Sequence, residues 1–285
     1  MKSKVFFLFI SLLFILLFPL QFKVKSETIL EEINRTGLLK VGIREDAVPF
    51  GYRDLNNNLT GLCLDFINVF HQQLKKQLNK EIILIKIYKS TLFNRFDLVS
   101  DRIIYLECGP NTIRDIPDYN VQFSNPFFIT GTQLLIKANN EEKVDLESNL
   151  QDIKIGILVN TSNQQLLSTR YPLANFVEFQ GVTGRYRGVQ ALQGDKIDGF
   201  ASDGILLIGE ATLQGLNLGK DYIVVPQFPL DCAKYGLIIP KNDPEWLNFV
   251  NSVIQIPQTK TTFGKWFDVI LPEIESITEF CQKTG

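Results

Sequence analysis

Polar side chains suited to ligand binding cluster in turns that lie at or just after the end of a predicted strand. These turns cover residues 46–52, 107–114, 159–163 and 198–203, and Arg44 lies at the end of the strand that leads into the first of them. In open α/β sheets, ligands bind beyond the carboxyl ends of the strands. The turns are therefore the candidate binding site, and the residue types within them indicate the ligand chemistry.

Three of these turns offer partners for an anion. Arg44 and Arg114 carry guanidinium groups, which form bidentate, charge-assisted pairs with carboxylates. Thr112 adds a hydroxyl in a tight, glycine-containing turn with exposed amides. Thr161 and Ser162 precede a predicted helix, where two interpretations are open. They are N-caps, or they add hydroxyls to an anion site at the helix N-terminus.

The remaining turn supplies a carboxylate, Asp203, suited to pairing with an ammonium group. A buried charge is costly unless it is paired and hydrogen-bonded. Anion partners together with one acid therefore favour a zwitterion such as an amino acid. In the first turn, Phe50 either offers a flat apolar face to the ligand or covers the edge of the core.

The composition argues against several other functions. The net charge of −2 is unlike a nucleic-acid-binding surface, which is normally basic. His71 is the single histidine and no cysteines form a CxxC pair, so we predict no metal site and no cofactor. The even number of cysteines, 4, is compatible with two disulfides in an exported protein.

The N-terminus has the pattern of an export signal. Lys2 and Lys4 form a short positive region, and residues 5–20 are almost entirely apolar. We interpret residues 1–26 as a cleaved signal peptide and predict a periplasmic or extracytoplasmic location. The alternative interpretation is an uncleaved membrane anchor.

Helix and strand patterns alternate along the rest of the chain, which predicts an α/β fold with mainly parallel sheets. Two internal echoes indicate two similar lobes. Residues 40–43 (KVGI) resemble residues 154–157 (KIGI), and residues 98–103 resemble residues 192–197, in the same order. We therefore predict two α/β lobes of about 100 residues each, with the ligand in the cleft between them.

Short runs of the sequence resemble, in order, the polar-amino-acid solute-binding proteins of ABC importers, which are the bacterial extracellular solute-binding proteins of family 3. They are also similar to the ligand-binding cores of ionotropic glutamate receptors. The resemblance implies a periplasmic-binding-protein type II-like fold, with two α/β lobes joined by a two-strand hinge. The runs are 39–43 (LKVGI), 48–52 (VPFGY), 61–65 (GLCLD), 123–131 (FSNPFFITG), 154–157 (KIGI), 194–198 (GDKID) and 235–241 (YGLIIPK).

The resemblance also implies ligand contacts. Phe50 matches an aromatic residue that lies against the ligand. The carbonyl of Pro110 matches an acceptor for the amine, and Thr112 matches a residue that binds the carboxylate. Thr161 and Ser162 match hydroxyls of the second lobe, which bind the side-chain carboxylate in glutamate-binding relatives.

Asp203 matches the acid that holds the amine. The residue that binds the ligand carboxylate, however, departs from the family pattern. The family usually places an Arg five residues after the Thr, and this position is Pro117 here. Arg114, on the same turn, and Arg44, at the end of the first strand, are both candidate substitutes. The resemblance leaves both open.

By analogy with the family, residues 27–129 and 234–285 form lobe 1 and residues 130–233 form lobe 2. Two strand crossings between the lobes then act as the hinge. Closure of such a hinged cleft around a ligand is a known switching motion, and a transporter can distinguish the closed form from the open one.

The cysteines fit this layout. Glutamate-receptor cores carry a bridge similar to one between Cys232, near the return crossing, and Cys281, near the C-terminus. Cys63 and Cys108 both lie in turns at the cleft end of lobe 1. We therefore predict the disulfides 63–108 and 232–281.

The predicted function is that of a monomeric extracytoplasmic receptor. It delivers a polar, acidic amino acid such as glutamate or aspartate to the membrane permease of an ABC importer. The acidic preference is motivated by Arg44, Arg114, Arg185 and Arg187.

Two alternatives stay open. One is an exported dehydratase of the same fold, in which Asp203 would act as a general acid. The other is a sensory receptor domain that needs a membrane partner. We predict a binding protein and not an enzyme, because the sequence has one His and neither a nucleophile elbow nor a metal-binding cluster.

Overall fold

The structure is a computed structural model, and it describes residues 27–54 and 56–284. The predicted signal peptide, residues 1–26, lies outside the described residues. Within the described ranges, none of the helices has both the length and the apolar character needed to cross a bilayer.

Helices and strands alternate along the chain, as the sequence predicts. The strands are β1 Leu38–Arg44, β2 Asp46–Ala47, β3 Gly51–Arg53, β4 Leu59–Thr60, β5 Leu84–Ser90, β6 Leu106–Cys108, β7 Val121–Phe123, β8 Phe128–Thr130, β9 Thr132–Lys137, β10 Lys154–Leu158, β11 Asn175–Phe179, β12 Gly199–Asp203, β13 Tyr222–Val225, β14 Ala233–Tyr235 and β15 Ile238–Pro240. The α-helices are α1 Ile29–Thr36, α2 Leu62–Gln77, α3 Arg95–Ser100, α4 Ser162–Arg170, α5 Gly184–Gln193, α6 Gly204–Leu213, α7 Pro244–Gln255, α8 Pro257–Phe267 and α9 Leu271–Thr284.

Lobe 1 is built on a sheet with the strand order β5-β1-β6-β15-β7. Strand β1 pairs in parallel with β5 and β6, whereas β15 runs antiparallel to β6 and β7. Because β15 comes from the last part of the chain, lobe 1 is assembled from two separate segments of the sequence.

Lobe 2 repeats this arrangement with the order β11-β10-β12-β9-β13. Strand β10 pairs in parallel with β11 and β12, and β9 runs antiparallel to β12 and β13. The predicted two-lobed α/β fold is confirmed. The sheets are mixed and not mainly parallel, because each lobe takes in strands next to the crossings that run against its parallel strands.

Strands β8 and β14 are the two crossings between the lobes, and they pair side by side in antiparallel fashion. Strand β8 leads into β9 of lobe 2 through Gly131, and β14 leads back into β15 of lobe 1. A Cβ atom at Gly131 would collide with the carbonyl of Asp231. Glycine is therefore required where the two crossings approach each other.

Helix α1 shows why its sequence begins and ends a helix where it does. Thr28 and Glu31 form a reciprocal capping box at its N-terminus. Gly37 ends the helix in the left-handed conformation with φ of 66°, as glycine commonly does at the C-terminus of a helix.

Helix α2 begins at Leu62. The first amides of a helix have no partner within it. Here the amides of Leu62 and Cys63 donate to the carbonyl oxygens of Pro49 and Phe50 at 3.0 and 2.8 Å. These long-range bonds satisfy two amides that the helix itself leaves unpaired.

Phe50 lies in the core of lobe 1 and is 0% exposed. Its ring packs edge-on against Phe128 and Tyr235, with ring centroids 5.2 and 5.4 Å away, and Phe267 lies 6.1 Å away. Of the two interpretations of Phe50, this placement is the one in which the ring covers the core.

Both predicted disulfides are confirmed. Cys63 at the start of α2 is bonded to Cys108 at the end of β6, and Cys232 beside β14 is bonded to Cys281 in α9. The first bridge lies within lobe 1. The second bridge fastens the C-terminal helix to the return crossing.

The double substitution Cys232→Ser and Cys281→Ser tests the contribution of the second bridge. The bridge joins residues with a sequence separation of 49, so its loss enlarges the conformational freedom of the unfolded chain. We expect the free energy of unfolding to fall by about 2–4 kcal/mol. Chemical denaturation without reductant measures this, and a stability equal to that of the unmodified protein would contradict it.

Candidate functional site

The candidate site is the cleft where the two lobes face each other. Turns that follow β1, β5 and β6 of lobe 1 meet turns that follow β10 and β12 of lobe 2, as expected for ligand sites in open α/β sheets. The cleft is lined by Arg44, Leu92, Arg95, Phe96, Pro110, Asn111, Thr112, Arg114, Thr161, Ser162, Asn163, Arg185, Asp203 and Leu206.

Two hydroxyls meet across the cleft. Thr112 Oγ1 of lobe 1 lies 3.4 Å from Ser162 Oγ of lobe 2, so the lobes are in contact at the site. Thr161 is the N-cap of α4, since its Oγ1 accepts from the amide of Gln164 at 3.2 Å. The same hydroxyl donates to the carbonyl oxygen of Leu158 at 2.7 Å. The N-cap interpretation therefore holds for Thr161, and Ser162 has the freer hydroxyl.

Asp203, at the end of β12, is the buried acid of the cleft. Its carboxylate accepts hydrogen bonds from Asn163 Nδ2 at 2.7 Å and from the hydroxyl of Tyr235. Burial raises the pKa of Asp203, although both hydrogen bonds favour the charged form. The carboxylate belongs to lobe 2 and Tyr235 to the crossing β14, so this contact sits where the lobes join.

Arg44 and Asp46 form a buried, bidentate ion pair with two bonds of 2.7 Å. The side chains are 1% and 5% exposed. Burial opposes both charges, but each partner outweighs it. As a result, the pKa of Arg44 is raised and the pKa of Asp46 is lowered. The carbonyl oxygen of Asp46 accepts a hydrogen bond from Arg185 Nη1 of lobe 2.

Arg95 and Arg185 are two further buried cations of the cleft. In the described part of the chain, neither forms an ion pair, and the Nε of each is buried without a hydrogen-bond partner. Burial and the nearby charge of Arg44 lower the pKa of Arg95 to about 10. Burial also lowers the pKa of Arg185. An anion in the cleft would offer both guanidinium groups an acceptor and a charge partner.

Beneath the cleft, Glu107 supports the turn that carries Thr112. Its carboxylate is fully buried and accepts hydrogen bonds from Ser90 Oγ, at 2.7 Å, and from Asn111 Nδ2. Burial raises the pKa of Glu107. The acid therefore fixes the turn from below.

Seven of the predicted ligand residues line this cleft: Arg44, Pro110, Thr112, Arg114, Thr161, Ser162 and Asp203. Phe50 does not, because its ring is enclosed in the core of lobe 1. Pro117 is exposed and lies outside the cleft lining. Arg114 is on the cleft rim with an exposed side chain.

Sequence reasoning did not assign Arg95, Asn111 or Asn163 to the site. Asn111 and Asn163 lie inside turns that were already singled out. Arg95 lies five residues after the end of β5, so the rule that ligands bind beyond strand ends could have indicated it. Arg185 contributed to the predicted acidic preference, but its position on α5 gave no local signal of cleft burial.

Comparison with known proteins now identifies the family. Residues 39–269 match the bacterial extracellular solute-binding proteins, family 3. This match spans most of the chain, and the protein belongs to that family. The family that the short sequence runs resemble is thereby confirmed.

Named relatives bind amino acids. The chain is 28% identical over 241 residues to the glutamate/aspartate import solute-binding protein of Escherichia coli K12, covering 84% of this chain and 78% of the relative. It is 25% identical over 251 residues to the L-cystine-binding protein TcyJ of the same organism, covering 85% and 87%.

Solved structures share the fold. The ancestral amino acid-binding protein AncCDT-1, described as a precursor of cyclohexadienyl dehydratase, matches with a TM-score of 0.71 and 23% identity, over 84% of this chain and 99% of that one. A substrate-binding protein from Streptococcus pneumoniae with bound histidine matches with a TM-score of 0.71 and 16% identity, over 86% and 98%. At these identities, the similarity concerns the fold.

The substitution Asp46→Asn tests the buried ion pair. It leaves Arg44 buried without a charged partner, and we expect the free energy of unfolding to fall by about 3–5 kcal/mol. Glu27→Gln is the control, because the ion pair of Glu27 with Arg35 is largely exposed and should have little influence on stability. Chemical denaturation of both variants measures the two losses in free energy of unfolding. Losses of similar size would contradict the prediction that the buried ion pair contributes more than the exposed one.

Proposed function

We propose that the protein captures an acidic amino acid, glutamate or aspartate, by closing its two lobes around the ligand. The observation that carries this proposal is the imbalance of charge in the cleft. Four Arg side chains line it beside a single carboxylate, Asp203. Asp46 neutralises Arg44, which leaves Arg95, Arg114 and Arg185 to face the ligand.

The α-amino group of the ligand is assigned to Asp203. A buried carboxylate with a raised pKa is stabilised in its charged form by an ammonium partner. Pro110 lines the same cleft, and its carbonyl is assigned as a second acceptor. This arrangement supplies the amine with acceptors from both lobes.

The α-carboxylate is assigned to Thr112, Ser162 and Arg114. Arg44 is the weaker candidate for this role, because its Nε and Nη2 are already bonded to the carboxylate of Asp46. Arg114 lies on the same turn as Thr112 and keeps its side chain on the cleft rim. Its side chain can therefore turn inward as the cleft closes. There it would take the role of the Arg that the family usually has at the position of Pro117.

The side-chain carboxylate is assigned to Arg95 and Arg185, which approach from opposite lobes. Their unpartnered Nε groups are buried, and a buried donor without an acceptor destabilises the protein. A carboxylate accepts bidentate bonds from Arg. Binding of an acidic side chain therefore satisfies both donors, whereas a cationic ligand would add repulsion.

In this proposal the protein is an extracytoplasmic monomer that hands its ligand to the membrane permease of an ABC importer. Membership of a family of extracellular solute-binding proteins supports that role, as do the relatives named for glutamate/aspartate import. The curated relatives are named as binding proteins, which supports a binding function without catalysis. Turnover of prephenate or arogenate by the purified protein would instead favour a dehydratase.

Calorimetry with glutamate, glutamine, aspartate, asparagine and arginine tests the ligand class. We expect the two acids to bind most tightly. Arg185→Gln should weaken glutamate binding by at least about tenfold, because a buried charge partner is lost, and should affect glutamine much less. Arg187→Gln is the matched control, since Arg187 lies on the exposed side of the same helix.

Two results would count against the proposal. One is a failure of the unmodified protein to bind glutamate, aspartate, glutamine or asparagine. The other is an equal loss of glutamate and glutamine affinity in Arg185→Gln, which would mean that Arg185 does not recognise the charge of the side chain.

A further inference from the structure

An apolar contact crosses from lobe 1 to lobe 2 beside the candidate site. Leu92, in the turn after β5, is partly buried and packs against an apolar cluster that includes Leu158, Phe179 and Val189. As far as the described residues go, every other member of that cluster belongs to lobe 2. Leu92 also lines the cleft, so it joins the two lobes next to the ligand-binding residues.

Leu92 follows the edge strand of lobe 1 that lies furthest from the hinge. Strand β5 is one edge of the lobe 1 sheet, and β15 and β7 lie at the other side. The crossings β8 and β14 are connected to β7 and β15, so the hinge lies on that other side. A rotation about the hinge therefore moves the β5 edge furthest, and the contact of Leu92 with lobe 2 breaks when the lobes separate.

The turn that carries Leu92 is held by side-chain hydrogen bonds. The amide and hydroxyl of Thr91 donate to Asn94 Oδ1 at 2.7 and 3.0 Å. Thr91 Oγ1 accepts from the amides of Phe93 and Asn94 at 3.2 Å. Arg95 Nη1 donates to the carbonyl oxygen of Leu92 at 2.7 Å. One short turn thus holds both the apolar contact and a guanidinium group of the cleft.

We propose that Leu92 is a positioning residue for ligand capture. Its side chain stabilises the closed cleft, and its carbonyl holds Arg95 where the ligand carboxylate is bound. The role of Arg95 rests on the proposed function, whereas the role in closure rests on the packing alone. Apolar burial stabilises the state in which it occurs, and apparent affinity scales with the population of the binding-competent state.

The variant Leu92→Ala removes the side-chain contact and keeps the carbonyl that Arg95 uses. We expect glutamate to bind about tenfold more weakly in calorimetry, equivalent to about 1.4 kcal/mol. Phe93→Ala is the matched control, because Phe93 lies on the same turn but is 50% exposed. Its affinity should stay within about twofold of the unmodified protein.

A second measurement reads closure directly. Noncanonical amino acids replace the exposed residues Lys76 of lobe 1 and Ser168 of lobe 2, and each carries a spin label. The distance between the two labels is measured with and without glutamate. We expect Leu92→Ala to shift the distribution toward longer distances relative to the unmodified protein and to Phe93→Ala.

The two measurements separate the two proposals. Failure of glutamate to bind the unmodified protein overturns the proposed function, while the distance distributions still decide the role of Leu92 in closure. Identical distributions for the three proteins would overturn that role. Equal weakening of glutamate binding by Leu92→Ala and Phe93→Ala would overturn it as well, because a disturbed turn would then explain the loss.

Discussion

Positive charge held out of water is the constraint on which the cleft depends. Arg44, Arg95 and Arg185 are almost completely buried, and a buried cation is costly unless it is paired. Asp46 meets this requirement for Arg44 with two short bonds. The other two guanidinium groups have buried donors without acceptors. In the proposed function, an anionic ligand completes this set of charges, and this would link capture to closure.

The fold brings these charges together through strand ends and chain crossings. Parallel strands in both lobes end at the cleft, so the turns that follow them face each other across it. The paired crossings β8 and β14 place Tyr235 against Asp203 of lobe 2. Charges that lie far apart in the sequence therefore meet at one site, and movement about the crossings can expose or bury them.

The part of this account that could be predicted from the sequence is the part that local pattern encodes. Turns after strands identified Thr112 and Asp203. Internal echoes and the family resemblance predicted the two lobes, and the positions of the cysteines in that layout predicted both disulfides. What could not be predicted depends on contacts between distant segments. Phe50 packs in an aromatic core against residues from β8 and α8. The carboxylate of Asp46 pairs with the guanidinium group of Arg44. Arg185 contacts lobe 1 through the carbonyl oxygen of Asp46, which is distant from it in the sequence.

A crystal structure of the protein grown with glutamate tests the central claim most directly. The account predicts the ligand in the cleft between Thr112 and Ser162, with its ammonium group on Asp203 and its side-chain carboxylate within hydrogen-bond distance of Arg95 or Arg185. A glutamate bound outside this cleft, or one whose side-chain carboxylate contacts neither guanidinium group, would contradict it.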